Sequence, residues 1–216
     1  MAEFTLHCFA QSGNAYKPAL MLQLCNADWA PCFVDFFNGA TRTAEYRAKN
    51  VMGEVPLLEH AGKAISQSGA ILDYLAAHFR RFGWNSEDER REVLRWLLFD
   101  NHKFTSYTAT LRYLNQFAPN PDPGARAMFR QRAEAAWSVL DAHLRDREWV
   151  IGHSPTIADI SLCGYVFWPE EIGVDWADYP GIERWIARIA ALPGWTSPYQ
   201  LMPGHPLPAR SGDTRP

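Results

Sequence analysis

Apolar and polar positions change their period near residue 80, and this change divides the chain into two regions. Before that point, short alternating runs typical of strands are mixed with helical apolar spacing, and after it the spacing is helical throughout. The strand-like runs cover residues 4–10, 31–37, 55–60 and 64–66, and the helical runs cover 18–26, 43–50 and 68–79. A βαβ unit followed by a ββα unit predicts a small α/β sandwich.

Helix-boundary signals organise the second region. Ser86 with Glu89 three residues later is a capping-box pattern, and apolar residues recur from there to Leu114, so we expect one long helix. Further helices are predicted at 124–145, after a Thr156–Asp159 capping box, and from Tyr179 to a stop at Pro193-Gly194. We therefore predict an α/β domain over 1–80, a linker near 80–86, an all-α domain over 87–205 and an irregular tail over 206–216.

Charge and cysteine spacing exclude several classes of function. The formal net charge of -3 and the pI near 6.2 provide no overall attraction to nucleic acid or to an anionic membrane. No apolar run reaches the length of a membrane span, and the first residues lack a basic segment followed by an apolar one, so we expect a soluble cytoplasmic protein. The four cysteines form no CxxC pair and no zinc-type pattern with histidines, so we predict no metal site.

Four segments in order resemble the landmarks of the cytosolic glutathione transferases, in particular bacterial members, over nearly the whole chain. They are "QSGNAYKPALML", "GEVPLLE", "QSGAILDYL" and "SPTIADISL". This resemblance implies an N-terminal thioredoxin-like α/β domain and an all-α C-terminal domain. It also implies glutathione as co-substrate, a small hydrophobic electrophile as second substrate, and a homodimer.

The resemblance assigns the glutathione-binding residues. Ser68 lies where a strand ends and a helix begins, and the positive end of a helix binds a carboxylate. In the family, this Ser and the residue before it, here Gln67, hold the γ-glutamyl end of glutathione, and many members have an acid at the position of Gln67. Val55, before the family's cis-proline Pro56, is expected to bind the cysteinyl backbone like an added strand. A base, for which Arg42 is the candidate, is expected at the glycyl carboxylate.

Catalysis in the family stabilises the thiolate of glutathione, and two residues are candidates for this role. Ser12 is the first, because its spacing to Lys17 resembles that of serine-type classes. Asn14, at the mouth of the first helix, is the second. Tyr16 is expected to face the core, and Cys8 is a further alternative, because some relatives form mixed disulfides through an N-terminal cysteine.

The second substrate and the activity are less closely specified by the sequence. We expect the electrophile between the domains, near aromatic residues of the long helix and of the segment around Trp168, and Asp100 could reach a dimer partner's γ-glutamyl ammonium. Three functions stay open: a transferase for small hydrophobic electrophiles, a glutathione-dependent disulfide reductase or peroxidase, and a non-catalytic binding module on the same scaffold.

Overall fold

The computed structural model describes residues 2–207, which form two compact units. One unit runs to Leu75 and includes the chain from Gly194 onward, and the other is Ala76–Pro193. The first unit is built on a sheet and the second is helical, so the predicted order of an α/β region followed by an all-α region is confirmed.

The sheet of the first unit has four strands in the order β2-β1-β3-β4. The strands are β1 (Phe4–Cys8), β2 (Trp29–Phe33), β3 (Leu57–His60) and β4 (Lys63–Ser66). β1 and β2 are parallel, because α1 (Gly13–Leu24) returns the chain between them, whereas β3 pairs antiparallel with both β1 and β4. The short helix α2 (Ala44–Lys49) precedes β3, and α3 (Ser68–Phe79) follows β4.

The second strand lies earlier in the chain than its apolar pattern predicted. The run 31–37 was the prediction, but β2 begins at Trp29 and ends at Phe33. The reason is pairing: Phe4 aligns with Trp29 and Cys8 with Phe33, so β2 ends where β1 ends. Phe36, which follows β2, packs instead on Phe9, which follows β1, and their rings are stacked 5.0 Å apart.

The helical unit contains six helices among its described residues. They are α4 (Glu87–Phe99), α5 (Thr105–Gln116), α6 (Pro123–Leu144), α7 (Ile157–Leu162), α8 (Pro169–Ile172) and α9 (Pro180–Ala190). The prediction of one long helix was incomplete, because a π-helical turn at Asp100–Phe104 separates α4 from α5. Apolar periodicity does not reveal such a turn, which changes the hydrogen-bonding step while the chain stays helical.

The capping box at the start of α7 is confirmed and connects separate parts of the helical unit. The Thr156 amide donates to Asp159 Oδ2 at 2.9 Å, and Asp159 also accepts from the Val150 amide and from Trp185 Nε1, each at 2.9 Å. Asp159 is 1% exposed. One carboxylate therefore joins the loop before α7 to α9, and burial raises its pKa despite these donors.

The chain after the helical unit packs on the first unit. The Tyr16 hydroxyl donates to the Thr196 carbonyl at 2.9 Å, the Ala10 amide to the Pro203 carbonyl at 2.7 Å, and Gln11 Nε2 to the Gly204 carbonyl at 2.8 Å. This segment, which includes α10 (Pro198–Leu201), thus groups with the sheet, whereas the sequence analysis placed residues 87–205 in one helical domain. Apart from its first two residues, the predicted tail 206–216 lies outside the described residues.

Candidate functional site

Strand register brings the predicted site segments to one edge of the sheet. His7 aligns with Leu57 and Leu57 with Ser66, so the end of β1, the start of β3 and the end of β4 lie side by side. The segments that continue from those three points carry Ser12, Val55-Pro56 and Gln67-Ser68 respectively. The topology therefore places at one edge residues that lie far apart in sequence.

Ser12 caps α1 and retains a free hydrogen. Its hydroxyl oxygen accepts from the Ala15 amide at 3.1 Å, and its backbone amide donates to the Phe9 carbonyl at 3.0 Å. Within residues 2–207, no acceptor lies in range of the hydroxyl hydrogen. A buried hydroxyl, 6% exposed, at the positive end of a helix dipole can donate to an anion.

Asn14 lies in the first turn of the same helix. Its Oδ1 is buried, and no hydrogen-bond partner for this atom exists among the described residues. A buried amide oxygen without a partner carries a desolvation cost, which a ligand donor would remove. Lys17, which motivated the choice of Ser12, is fully buried.

The environment of Cys8 argues against its role as a reactive thiol. Its side chain is fully buried in β1, and burial raises its pKa to about 12. Because the thiolate is the reactive form, such a cysteine is inert at neutral pH. Tyr16 is also fully buried, and this confirms that it faces the core.

The segment before β3 has the backbone form that the sequence predicted. The Val55-Pro56 peptide bond is cis. The preceding carbonyl, that of Glu54, accepts from the Tyr46 hydroxyl at 2.9 Å and from Asn50 Nδ2 at 2.8 Å. Among the described residues, the Val55 backbone has no hydrogen-bond partner, so its amide and carbonyl can pair with an extended ligand.

Gln67 and Ser68 form the start of α3, and Gln67 has an unusual backbone conformation. Ile71 donates to the Gln67 carbonyl, so Gln67 occupies the cap position and Ser68 is the first helical residue. Gln67 has a φ of 69°, which costs a side-chain-bearing residue about 1 kcal/mol or more. The Ser68 hydroxyl, in a residue 5% exposed, has no partner in the described chain and therefore caps nothing there.

One contact at the candidate site was missed by the sequence analysis. Gln67 Nε2 donates to Glu54 Oε2 at 3.0 Å and lies 2.9 Å from Met52 Sδ. The Glu54 carboxylate therefore lies beside Gln67, the position at which many members of the family have an acid. The only signal in the sequence was the acid of "GEVPLLE", which the sequence analysis did not select as a site residue.

Two arginines precede the Val55 segment in the chain and are candidates for the glycyl carboxylate. Arg42 ends a 3₁₀ turn (Ala40–Arg42), and its Nε lies 3.6 Å from the position that a Cβ on Gly39 would take. Arg47 on α2 lies beside the start of the Val55 segment, because its Nε is 3.3 Å from the corresponding position on Gly53. The structure thus adds Arg47 as a second candidate base.

Asp100 does not present a carboxylate to the surface of its own chain. It is fully buried and accepts from the Thr105 hydroxyl at 2.6 Å and from the Ser161 hydroxyl at 2.5 Å. Its role in this geometry is to join the π-helical turn to α7. Of the aromatic residues considered for the electrophile, Phe104 and Trp168 are also buried, and the Arg112 guanidinium stacks on Trp168 at 3.9 Å.

Family models and solved structures match the chain over most of its length. Residues 2–77 match the model of the glutathione S-transferase N-terminal domain, and residues 108–193 match that of the C-terminal domain. A solved glutathione S-transferase from Xanthobacter autotrophicus Py2 is 32% identical, with a TM-score of 0.83 over 89% of this chain and 95% of that one. The chain belongs to the glutathione S-transferase family. Glutathione is the co-substrate of this family.

Relatives of this transferase-family chain differ in their stated activities. The disulfide-bond oxidoreductase YfcG of Escherichia coli K12 is 28% identical over 193 residues, covering 86% of this chain and 89% of that protein. A glutathione transferase from Burkholderia graminis, solved with two glutathione molecules bound per subunit, has a TM-score of 0.79 at 24% identity over 89% of this chain and 85% of that one. No described helix is both long and apolar enough to cross a membrane.

Proposed function

We propose that this protein is a glutathione transferase that activates glutathione as a thiolate for attack on small hydrophobic electrophiles. The observation that carries the proposal is the Ser12 hydroxyl, whose oxygen caps α1 while its hydrogen has no acceptor among residues 2–207. That hydroxyl follows β1, whose end lies beside the start of β3, just after Val55-Pro56, and beside the end of β4, just before Gln67-Ser68.

Glutathione binding uses groups along this edge of the sheet. The Val55 amide and carbonyl pair with the cysteinyl backbone of the ligand, as an added strand does. The first-turn amides of α3 and the Ser68 hydroxyl take the γ-glutamyl carboxylate, because helix N-termini bind anions. Arg42 or Arg47 takes the glycyl carboxylate at the opposite end.

Ser12 lowers the thiol pKa by donating its hydroxyl hydrogen to the sulfur of the thiolate. A free thiol has a pKa near 8.5, so only a few per cent is ionised at pH 7. A hydrogen bond to a charged group contributes about 1.5–3 kcal/mol, which corresponds to roughly one to two pKa units. The dipole of α1 adds to the same effect, and the Nδ2 end of the Asn14 amide is a second donor for the sulfur.

A second candidate function is glutathione-dependent disulfide reduction or peroxide removal. It is favoured by the similarity to a disulfide-bond oxidoreductase over 86% of this chain. Both activities need the same thiolate, so Ser12 and Asn14 suit either. A non-catalytic binding module would retain the glutathione groups without the reaction.

The remaining parts of the proposal concern partners and location. We propose a small hydrophobic electrophile as the second substrate, as in the family that the sequence resembles. We also propose that the protein is a homodimer and is located in the cytoplasm. Exposed apolar residues of α4, Leu94 at 55% and Leu98 at 62%, offer a surface for such an assembly. Sedimentation of the purified chain would measure its oligomeric state.

Three measurements on the purified chain separate the candidate functions. Calorimetry measures glutathione binding, a chlorinated aromatic substrate measures conjugation, and hydroxyethyl disulfide measures reduction. We expect binding with conjugation as the faster reaction. Faster disulfide reduction would favour the oxidoreductase, binding without either reaction would favour the binding module, and the absence of binding would refute the proposal.

A further inference from the structure

We propose that Glu54 is the residue that pairs with the α-ammonium of glutathione, in place of an acid at position 67. This inference rests on the proposed function and assigns one residue of the same site. Its basis is the hydrogen bond of 3.0 Å between Gln67 Nε2 and Glu54 Oε2.

Glu54 is hydrogen-bonded through its backbone carbonyl and through its carboxylate. Its carbonyl accepts two hydrogen bonds, from Tyr46 and from Asn50, which are 9% and 3% exposed. Its exposed carboxylate accepts a hydrogen bond from the Gln67 amide. The donor end of that amide must face the carboxylate, because an ionised carboxylate only accepts hydrogen bonds.

The chemistry of the ligand places its ammonium near this pair. In the γ-glutamyl group, the carboxylate and the ammonium are bonded to the same carbon atom. If the Ser68 end of α3 takes the carboxylate, the ammonium lies only a few ångströms away. The Gln67 amide oxygen can accept one of its hydrogens, and Glu54 supplies the negative charge that the amide lacks.

The backbone conformation of Gln67 is consistent with a functional role for its side chain. A positive φ is unfavourable for a residue with a long side chain, and a residue in that region is a reason to consider function. Here this conformation accompanies a side chain that contacts both Met52 and Glu54. A base, Arg47, lies beside Gly53, so the experiment must separate a ligand effect from a change in local charge.

The test compares two ligands and three variants of the full chain. Calorimetry measures the Kd of glutathione and of an analogue in which hydrogen replaces the α-amino group. Glu54→Gln is the test variant. Glu45→Gln removes an acid of the exposed first turn of α2 and is the matched control, and Glu54→Gln with Gln67→Glu returns the acid to the other side of the same hydrogen bond.

We expect Glu54→Gln to weaken glutathione about three- to fivefold, as for an ion pair that water can reach, and to leave the analogue unchanged. The double variant should recover glutathione binding, and Glu45→Gln should bind both ligands like the wild type. Equal weakening of both ligands, or no change in either, would overturn the role of Glu54 while glutathione binding by the wild type stands. If the wild type binds no glutathione, both the proposed function and this inference fail.

Discussion

Replacement of Ser12 by alanine tests the thiolate mechanism most directly, because the hydroxyl has two separable roles. As an acceptor it caps α1 through the Ala15 amide at 3.1 Å. As a donor it is available to the sulfur of bound glutathione. Ser12→Ala removes both roles, whereas Ser12→Gly removes the donor and retains most of the cap preference, because glycine is tolerated at helix N-caps.

The structure provides an expected size for each effect. Loss of the cap costs about 1 kcal/mol of stability in Ser12→Ala and a few tenths in Ser12→Gly. Loss of one hydrogen bond to a thiolate costs about 1.5–3 kcal/mol and raises the thiol pKa by roughly one to two units in both variants. If both variants raise the thiol pKa by the same amount but differ in stability, the donor role belongs to the hydroxyl itself.

The assay follows the ultraviolet absorbance of the thiolate of bound glutathione against pH, with urea unfolding of each unliganded variant. Asn14→Ala is the comparison, and we expect it to shift the pKa by less than either Ser12 variant. The reasoning is refuted if both Ser12 variants retain the wild-type pKa. A large shift in Asn14→Ala would then identify the amide as the group that stabilises the sulfur.

Four further predictions concern single residues elsewhere in the fold. Because burial raises the pKa of Cys8 to about 12, iodoacetamide at mildly alkaline pH should leave Cys8 unmodified in the native protein while the half-exposed cysteines react, as mass spectrometry will show. Asp159→Ala should reduce the free energy of unfolding by about 3 kcal/mol or more in urea, because it leaves several buried donors without an acceptor. Gly181→Ala should destabilise by about 1–3 kcal/mol on thermal unfolding although alanine favours helices, because the new Cβ would lie 2.6 Å from the Asp141 carbonyl oxygen. Burial lowers the pKa of His143, so the unfolded chain takes up this proton first as the pH falls; stability is lost below about pH 6.5, and His143→Gln should flatten that part of the profile.

The candidate site shows which parts of a site a sequence can indicate. Ser68 was predicted because it lies where a strand ends and a helix begins, and Ser12 because its spacing to Lys17 resembles that of serine-type classes. Both signals lie within a few residues of the chain. The contact of Gln67 with Glu54 was missed, because those residues are 13 positions apart and meet only through the β3–β4 hairpin. Neither role has been measured, so both stay predictions.

The sequence by itself determined the order of the elements, the change from mixed to helical structure and the capping box at Thr156. These features depend on side-chain periodicity and on hydrogen bonds between residues a few positions apart, which any window of the chain contains. Only the tertiary structure decided that β2 ends with β1, that a π-helical turn divides the long helix, and that Gln11 bonds to Gly204, 193 residues away. Such features depend on which distant segments meet. A contact between two segments stabilises the protein only after the fold has closed the chain between them.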